Sequence, residues 1–539
     1  MIRSLFLAVT LLLPLAAHAA NPGSGMVVAA QKSAAEAGAQ MLKQGGNAFD
    51  AAAATALALG VAEPGSSGIG GGGFFLLYIA KEDRYVMLDA REISPRLAGN
   101  GEVYETASSI DGPQSAGVPG LAAGVDHLVT RYGKLNRSVI TQPAIDLAKN
   151  GFVVSPRLKG MIKWRGKAFN DVARNQFMSG ETIKQGALAD TLIRFAKGGA
   201  EDFYRGETAG RLVADMIRDG GLIRAADLAD YRVIERKPVT FEYNAYKLIS
   251  APLPSSGGMT LAHVFGQLKN DDLKVLNRTD RVHLLVETMK RAYRDRNEHM
   301  GDSDFVEIPD LLNEHRLARL RAGIRMDRAT PSRELGNSSD AIGSGTDTTH
   351  FSVIDSEGNM VSATLSINYA FGSAYVSPST GILLNDEMDD FATRPGKANA
   401  YGLVQGAANA VAPGKRMLSS MTPTFVIGPD RTFIVGTPGG SRIISMVLLA
   451  SLGFMLDESA PANWVNDPRF HHQFLPDVIQ HEQEAFSPAV SKELQARGHI
   501  LKPMNRKYGN MHVIIWDRID KQLTGIADQR GEGAVLDVK

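Results

Sequence analysis

Residues 347–368 carry the pattern that most limits what this chain can fold into. Asp355-Ser356-Glu357-Gly358 suits a type I turn closed by a glycine in the left-handed region, the common three-residue hairpin loop. Such a turn joins a strand starting near Thr348 to a partner over 360–368, and sets Thr348 opposite Ser366 to within one residue. Thr348, His350, Ser352, Ser362, Thr364, Ser366 and Asn368 fall on even numbers; Phe351, Val353, Val361, Ala363, Leu365 and Ile367 fall on odd ones. Strand side chains alternate between faces, so one face is apolar and the other carries hydroxyls. Two readings fit this pattern: an ordinary half-exposed hairpin with Thr and Ser facing water, or a polar face that carries chemistry.

Composition removes several classes of function. Lys and Arg number 58 and so do Asp and Glu, which argues against nucleic acid or an acidic membrane as the main partner. Cysteine is absent, so a cysteine nucleophile, a zinc–thiolate site, a cysteine-ligated iron–sulfur cluster and any disulfide are excluded. At 539 residues the chain can bury a large core and, by length, ordinarily suggests several domains. Residues 1–19 read as a secretory leader: Arg3, an apolar run from Leu5 to Leu15, and Ala17-His18-Ala19 as the cleavage signal. The run is too short for a stable membrane span, and no other apolar stretch approaches that length. The expected destination is the periplasm or the medium, with no membrane anchor.

Met26 to Ala30 and Val86 to Ala90 read as strands, and Ser33 to Gly45 and Asn47 to Val61 as Ala-rich helices, the second ended by Glu63-Pro64-Gly65. The glycine run Gly70-Gly71-Gly72-Gly73 precedes a hydrophobic strand and has no Lys, so tight turning and close backbone packing suit it better than a phosphate cradle. Arg91 ends a strand; unaided, a surface salt bridge is the ordinary role for such a residue. Residues 120–330 are mostly helical in pattern and show no catalytic constellation, with a turn-rich break at 252–258 before a helix over 259–268. The 336–345 segment is a Gly/Ser-rich linker. Asp386, Glu387, Asp389 and Asp390 cluster in a segment that reads as a solvated acidic turn; a calcium loop is the other reading, but EF-hand spacing is missing. Gly439-Gly440 lies between a strand and a helix, where backbone amides can serve an oxyanion or merely connect. His471 and His472 are adjacent and point apart, which speaks against a metal pair.

Taken together, Asp347-Thr348-Thr349-His350-Phe351-Ser352-Val353 with Gly358-Asn359, the Glu63-Pro64 to Phe74 signature and the acidic segment resemble the gamma-glutamyltransferases, over nearly all of the mature chain. The resemblance implies an α+β fold, the N-terminal-nucleophile hydrolase sandwich of two packed antiparallel sheets between helical layers. It implies self-cleavage between Asp347 and Thr348, giving a large subunit over 20–347 and a small one over 348–539 that remain together as a heterodimer. Thr348 then becomes the nucleophile, its own freed amine the base, Ser366 a hydrogen-bonding neighbour, and Gly439 and Gly440 the oxyanion hole. Arg91, Ser419 and Ser420 would hold the donor's α-carboxylate, Asn368, Glu387 and Asp390 its α-amino group, and Tyr401 would sit at the gate of a lid over 395–412. Neither cofactor nor metal is implied. The donors are glutathione and related γ-glutamyl compounds, and the acceptors are water, amino acids or peptides. Ser366 stands where many members have Thr, and Asp347 where some have Asn. The rivals are a glutaryl or cephalosporin acylase of the same fold and an uncut, non-catalytic binding protein.

Overall fold

The computed structural model describes residues 22–336, 348–393 and 405–539. The leader, Asp347, Tyr401 and most of the 336–345 linker lie outside the described residues.

The expected hairpin is the centre of a seven-stranded antiparallel sheet. Its arms are Thr349–Ile354 and Met360–Ser366, flanked by Gly25–Ala29 on one side and Gly72–Ile79 on the other. Ala534–Val538 forms one edge, and Arg84–Ala90 followed by Ile234–Arg236 forms the other. The turn closes as its residues dictate. The Gly358 amide donates to the Asp355 carbonyl at 3.1 Å, and Gly358 has φ +86°. Thr349 faces Leu365 and His350 faces Thr364, a register that carries on to Thr348 opposite Ser366.

A second antiparallel sheet of six strands packs against the first, in the order Gln522–Ala527, His512–Asp517, Arg431–Val435, Thr424–Ile427, Tyr246–Ser250 and Val239–Tyr243. Helices Lys32–Lys43, Ala48–Ala62, Arg137–Asn150 and Gly186–Arg205 cover the outer face of the first sheet with one apolar core. Gly257–Gln267, Arg278–His299 and Ile443–Leu456 cover the second sheet with another. The result is the four-layer αββα sandwich.

The half-exposed hairpin is overturned. Every residue of both arms is buried. The odd face meets the helices, while the even, hydroxyl-bearing face lies in the seam between the sheets. There Ser352 Oγ donates to the His512 carbonyl at 2.8 Å and Ser362 Oγ to the Val435 carbonyl at 3.1 Å, so each hydroxyl replaces water with backbone from the opposite sheet. The glycine run allows the next strand to close in. Gly73 has φ +152°, and a Cβ there would lie 2.4 Å from the Thr364 carbonyl oxygen; at Gly71 it would lie 2.2 Å from that of Ser366. Arg91, expected at the surface on its own merits, is fully buried, and so is Glu387 of the segment that reads as a solvated turn.

Asp355 fastens the hairpin to the helical layer. Its buried carboxylate accepts from the amides of Glu357, Asn359 and Ala48, the last at 2.8 Å at the start of the Ala-rich helix, and from Asn359 Nδ2. Replacing it leaves several buried donors without an acceptor. Asp355→Ala is expected to cost about 2–4 kcal/mol, read as a lowered thermal midpoint, while the exposed neighbour change Ser356→Ala stays within about 0.5 kcal/mol. Equal midpoints for the two variants would contradict this role.

Candidate active site

Thr348 sits at the head of the first hairpin arm and is 3% exposed. Its Oγ1 lies 3.3 Å from Ser366 Oγ, as the register requires. Ser366 Oγ in turn accepts from the Asn368 amide at 2.8 Å. Asn368 adopts φ +72°, which turns the chain at the strand end, and its Nδ2 donates to the Asp386 carbonyl at 3.0 Å. The next residue, Thr349, donates from Oγ1 to Glu63 at 2.7 Å. Glu63, which ends the Ala-rich helix and opens the Glu63-Pro64 to Phe74 signature, had no expected place beside the threonine hairpin.

One narrow cleft brings most of the expected residues together. Thr348, Ser366, Asn368, Arg91, Glu387, Asp390, Ser419, Ser420 and Gly440 all line a cavity of 20 Å³, about the room of one water molecule. Gly439, with φ +143°, immediately precedes Gly440, with φ +58°, before the short turn that leads into the helix Ile443–Leu456. Both backbone angles lie where a side chain is strained, which accounts for a glycine pair at this junction. Asp347 and Tyr401 cannot be placed, being outside the described residues.

The electrostatics of the cleft centre on Arg91. Its Nη1 lies 2.6 Å from Glu387 and 3.4 Å from Glu92, and its Nη2 lies 2.5 Å from Asp390. Burial alone would lower the guanidinium's pKa, but the surrounding carboxylates hold it above its ordinary value. Burial pushes Glu387 well above the usual carboxylate range despite the pull of Arg91, and pushes Glu92 up to about 7. Around Arg91 the carboxylates outnumber the guanidinium, and burial therefore holds Glu92 and Glu387 above their ordinary pKa. Glu387 Oε1 has no hydrogen-bond partner among the described residues.

A second buried cation shares the cleft, and the sequence reading missed it. Arg296, on the helix Arg278–His299, is 1% exposed and donates to Ser256 Oγ and Ser420 Oγ, each at 2.9 Å, and to Asn297 Oδ1 at 3.1 Å. Burial lowers its pKa to about 10. The expectation of no catalytic constellation over 120–330 therefore needs correction. The helix carries charges around its whole circumference, so no periodicity marked Arg296 as the one that reaches the site.

The histidines are held in place by neutral or structural partners. His350 Nδ1 lies 2.9 Å from Thr364 Oγ1, and burial holds the imidazole well below its ordinary pKa. His471 bonds Ser445 and Gln473, while His472 contacts Asp477. Thr348 thus has Ser366, rather than an imidazole, beside its hydroxyl.

The known proteins bear on this arrangement. The family described as gamma-glutamyltranspeptidase matches residues 34–538. The glutathione hydrolase proenzyme of Pseudomonas aeruginosa is 40% identical over 97% of this chain and 96% of its own length, and that of Escherichia coli is 36% identical over 95% and 91%. Among solved structures, a cephalosporin acylase from Bacillus halodurans superposes with a TM-score of 0.83 at 27% identity, covering 96% of each chain. With a buried threonine hairpin, a cleft lined by opposed charges and these whole-length likenesses, the chain belongs to the gamma-glutamyltranspeptidase family.

Proposed function

We propose that this chain is a self-cleaving gamma-glutamyltransferase that hydrolyses glutathione-like donors or passes their γ-glutamyl group to amino acids and peptides. The observation that carries the reading is the shared cleft. A threonine paired with a serine faces, within one narrow space, both a cation and carboxylates suited to the two charged groups of an α-amino acid.

In this reading Thr348 Oγ1 attacks the Asp347 carbonyl, and water cleaves the resulting ester. The cut separates 20–347 from 348–539 and frees the Thr348 amine. An α-amino group titrates at roughly 7.7–8.0, so it can take the proton from its own hydroxyl near neutral pH. Thr348 then attacks the donor's γ-carbonyl while the Gly439–Gly440 backbone receives the oxyanion. The amine returns the proton to the leaving nitrogen, and water or an acceptor amine resolves the γ-glutamyl ester. Glu387, Asp390 and Asn368 face the donor's ammonium; Arg91, Ser419 and Ser420 face its carboxylate. These carboxylates favour the reading over a glutaryl acylase, whose substrate brings no ammonium to satisfy them. Among the described residues no helix is long and apolar enough to cross a membrane, and we read residues 1–19 as an export leader.

The acceptor has a place to approach. A cavity of 760 Å³ reaches Pro438, next to Gly439, and is walled by Arg157, Arg506, Lys507 and Arg530, with no acidic residue lining it among the described residues. Its Trp164 ring lies 5.1 Å from that of Tyr369, beside Asn368. Arg157, Lys507 and Arg530 each pair with a carboxylate, whereas Arg506 has none among the described residues. An acceptor ending in a carboxylate suits this wall.

Three outcomes follow from this scheme. Thr348→Ala is expected to yield one uncut mature chain without turnover; a normally split variant would contradict the assigned nucleophile. The KM for γ-glutamyl-p-nitroanilide should fall by roughly tenfold as pH rises from about 6 to about 8, because Glu92, pushed up to about 7 by burial, ionises over that interval and adds negative charge to the cluster that faces the ammonium. The glutaryl analogue, lacking the ammonium, should show no such fall, and parallel profiles would refute the role of the acidic cluster. Arg506→Ala should raise the KM for glycylglycine by about 2–5-fold, as expected for an exposed ion pair, and leave that for glycylglycinamide unchanged; equal effects on both would remove Arg506 from acceptor binding.

A further inference from the structure

Glu63 is a buried carboxylate beside the head of the hairpin, with no part in the chemistry proposed for the cleft. It ends the Ala-rich helix Ala48–Ala62, and its carbonyl accepts the Ser66 amide at 3.0 Å, which closes the turn around Pro64. Its two carboxylate oxygens serve different parts of the molecule. Oε2 accepts from Thr349 Oγ1 at 2.7 Å, one residue beyond Thr348. Oε1 accepts from Arg157 Nη1 at 3.2 Å. Arg157 lies at the start of the helix Pro156–Arg165 and lines the 760 Å³ cavity that reaches Pro438. One carboxylate thus joins the hairpin to the cavity wall. Arg157 is partly exposed there, whereas Glu63 is buried behind it, so a ligand in the cavity meets the cation first. With one oxygen held by Thr349, Glu63 does not give Arg157 the two-pronged contact of a full guanidinium–carboxylate fork. Arg157 keeps part of its charge for the cavity, and Glu63 sets how much.

We infer that Glu63 is a positioning residue that acts through Arg157 to set how strongly the enzyme prefers acceptors ending in a carboxylate. The inference rests on the γ-glutamyl reading and on the acceptor cavity it assigns, and it names the group that tunes that cavity. The bond to Thr349 anchors the carboxylate, and the carboxylate in turn holds the Arg157 head at a fixed place relative to residue 348. An acceptor carboxylate must compete with Glu63 for the same guanidinium, so it is attracted less than by an unpaired arginine. The transfer product carries that same carboxylate, and the weakened attraction lets it leave.

The test uses γ-glutamyl-p-nitroanilide as donor with glycylglycine and glycylglycinamide as acceptors. The KM for the amide divided by that for the acid measures the carboxylate preference, and changes common to both acceptors cancel in it. Glu63→Gln keeps an oxygen for Thr349 and removes the charge; the preference should rise by about 3–10-fold. Arg157→Met removes the cation and keeps an apolar stem; the preference should fall by a similar factor, about 3–10-fold, because a buried anion is left behind the wall. The double variant removes a neutral pair and should return to within about twofold of wild type. Self-cleavage into two subunits on a denaturing gel reports folding. If Glu63→Gln stays uncut, Arg157→Met decides alone, and a preference that does not fall overturns the inference. A merely structural Glu63 would alter both acceptors in parallel, so an unchanged preference in Glu63→Gln also overturns it. So does a double variant that keeps the full rise, since Glu63 would then act on something other than Arg157. A wild-type enzyme that hydrolyses the donor but transfers to neither acceptor would overturn the inference and leave the γ-glutamyl reading standing; one inactive on the donor would instead sink that reading.

Discussion

A guanidinium held against three carboxylates in a space almost too small for water is the constraint around which this molecule is arranged. Arg91 cannot neutralise Glu92, Glu387 and Asp390 together, and burial raises the carboxyls that it fails to satisfy. Such a cluster persists only if the surrounding fold fixes it rigidly. The two sheets do so from opposite sides. Arg91 directly follows the strand Arg84–Ala90 of the first sheet, Glu387 and Asp390 lie on a short turn tied back to Asn368, and Ser419 and Ser420 lead into the first strand of the C-terminal part of the second sheet. In the proposed function this crowded charge system is kept ready for an ammonium and a carboxylate.

The proposed nucleophile, Thr348, depends on the same packing. The seam between the sheets is unusually polar, with Ser352, Ser362 and His350 on its inner face, each paired with backbone or hydroxyl oxygen. That polar lining continues along the even positions to Thr348 and Ser366 at the mouth of the seam. Thr348 and Ser366 are thus the buried end of a structural pattern, and the pairing register that keeps the hairpin apolar on one face also aligns the two hydroxyls.

Much of this was legible in the chain. The Asp355–Gly358 turn fixed the pairing, and with it the meeting of Thr348 and Ser366, because turn chemistry and loop length determine register. The burial of the polar face was not legible. Alternation says which residues share a face, but the strands that cover it, Arg431–Val435 and His512–Asp517, come from far along the sequence. The same limit applies to the site. Arg91, Glu387, Asp390, Ser419, Ser420 and the glycine pair were found through motif likeness, whereas Arg296 sits on a helix with charges on every side and no local feature singles it out. Glu387 was misread as solvated because an acidic run ordinarily is; only the neighbouring Arg91 makes its burial tolerable.

The measurement that bears most directly on the central claim is N-terminal sequencing with intact mass analysis of the active protein. Two chains are expected, the smaller beginning at Thr348 with a free amine. An active species consisting of one continuous chain through Asp347 and Thr348 would contradict the account.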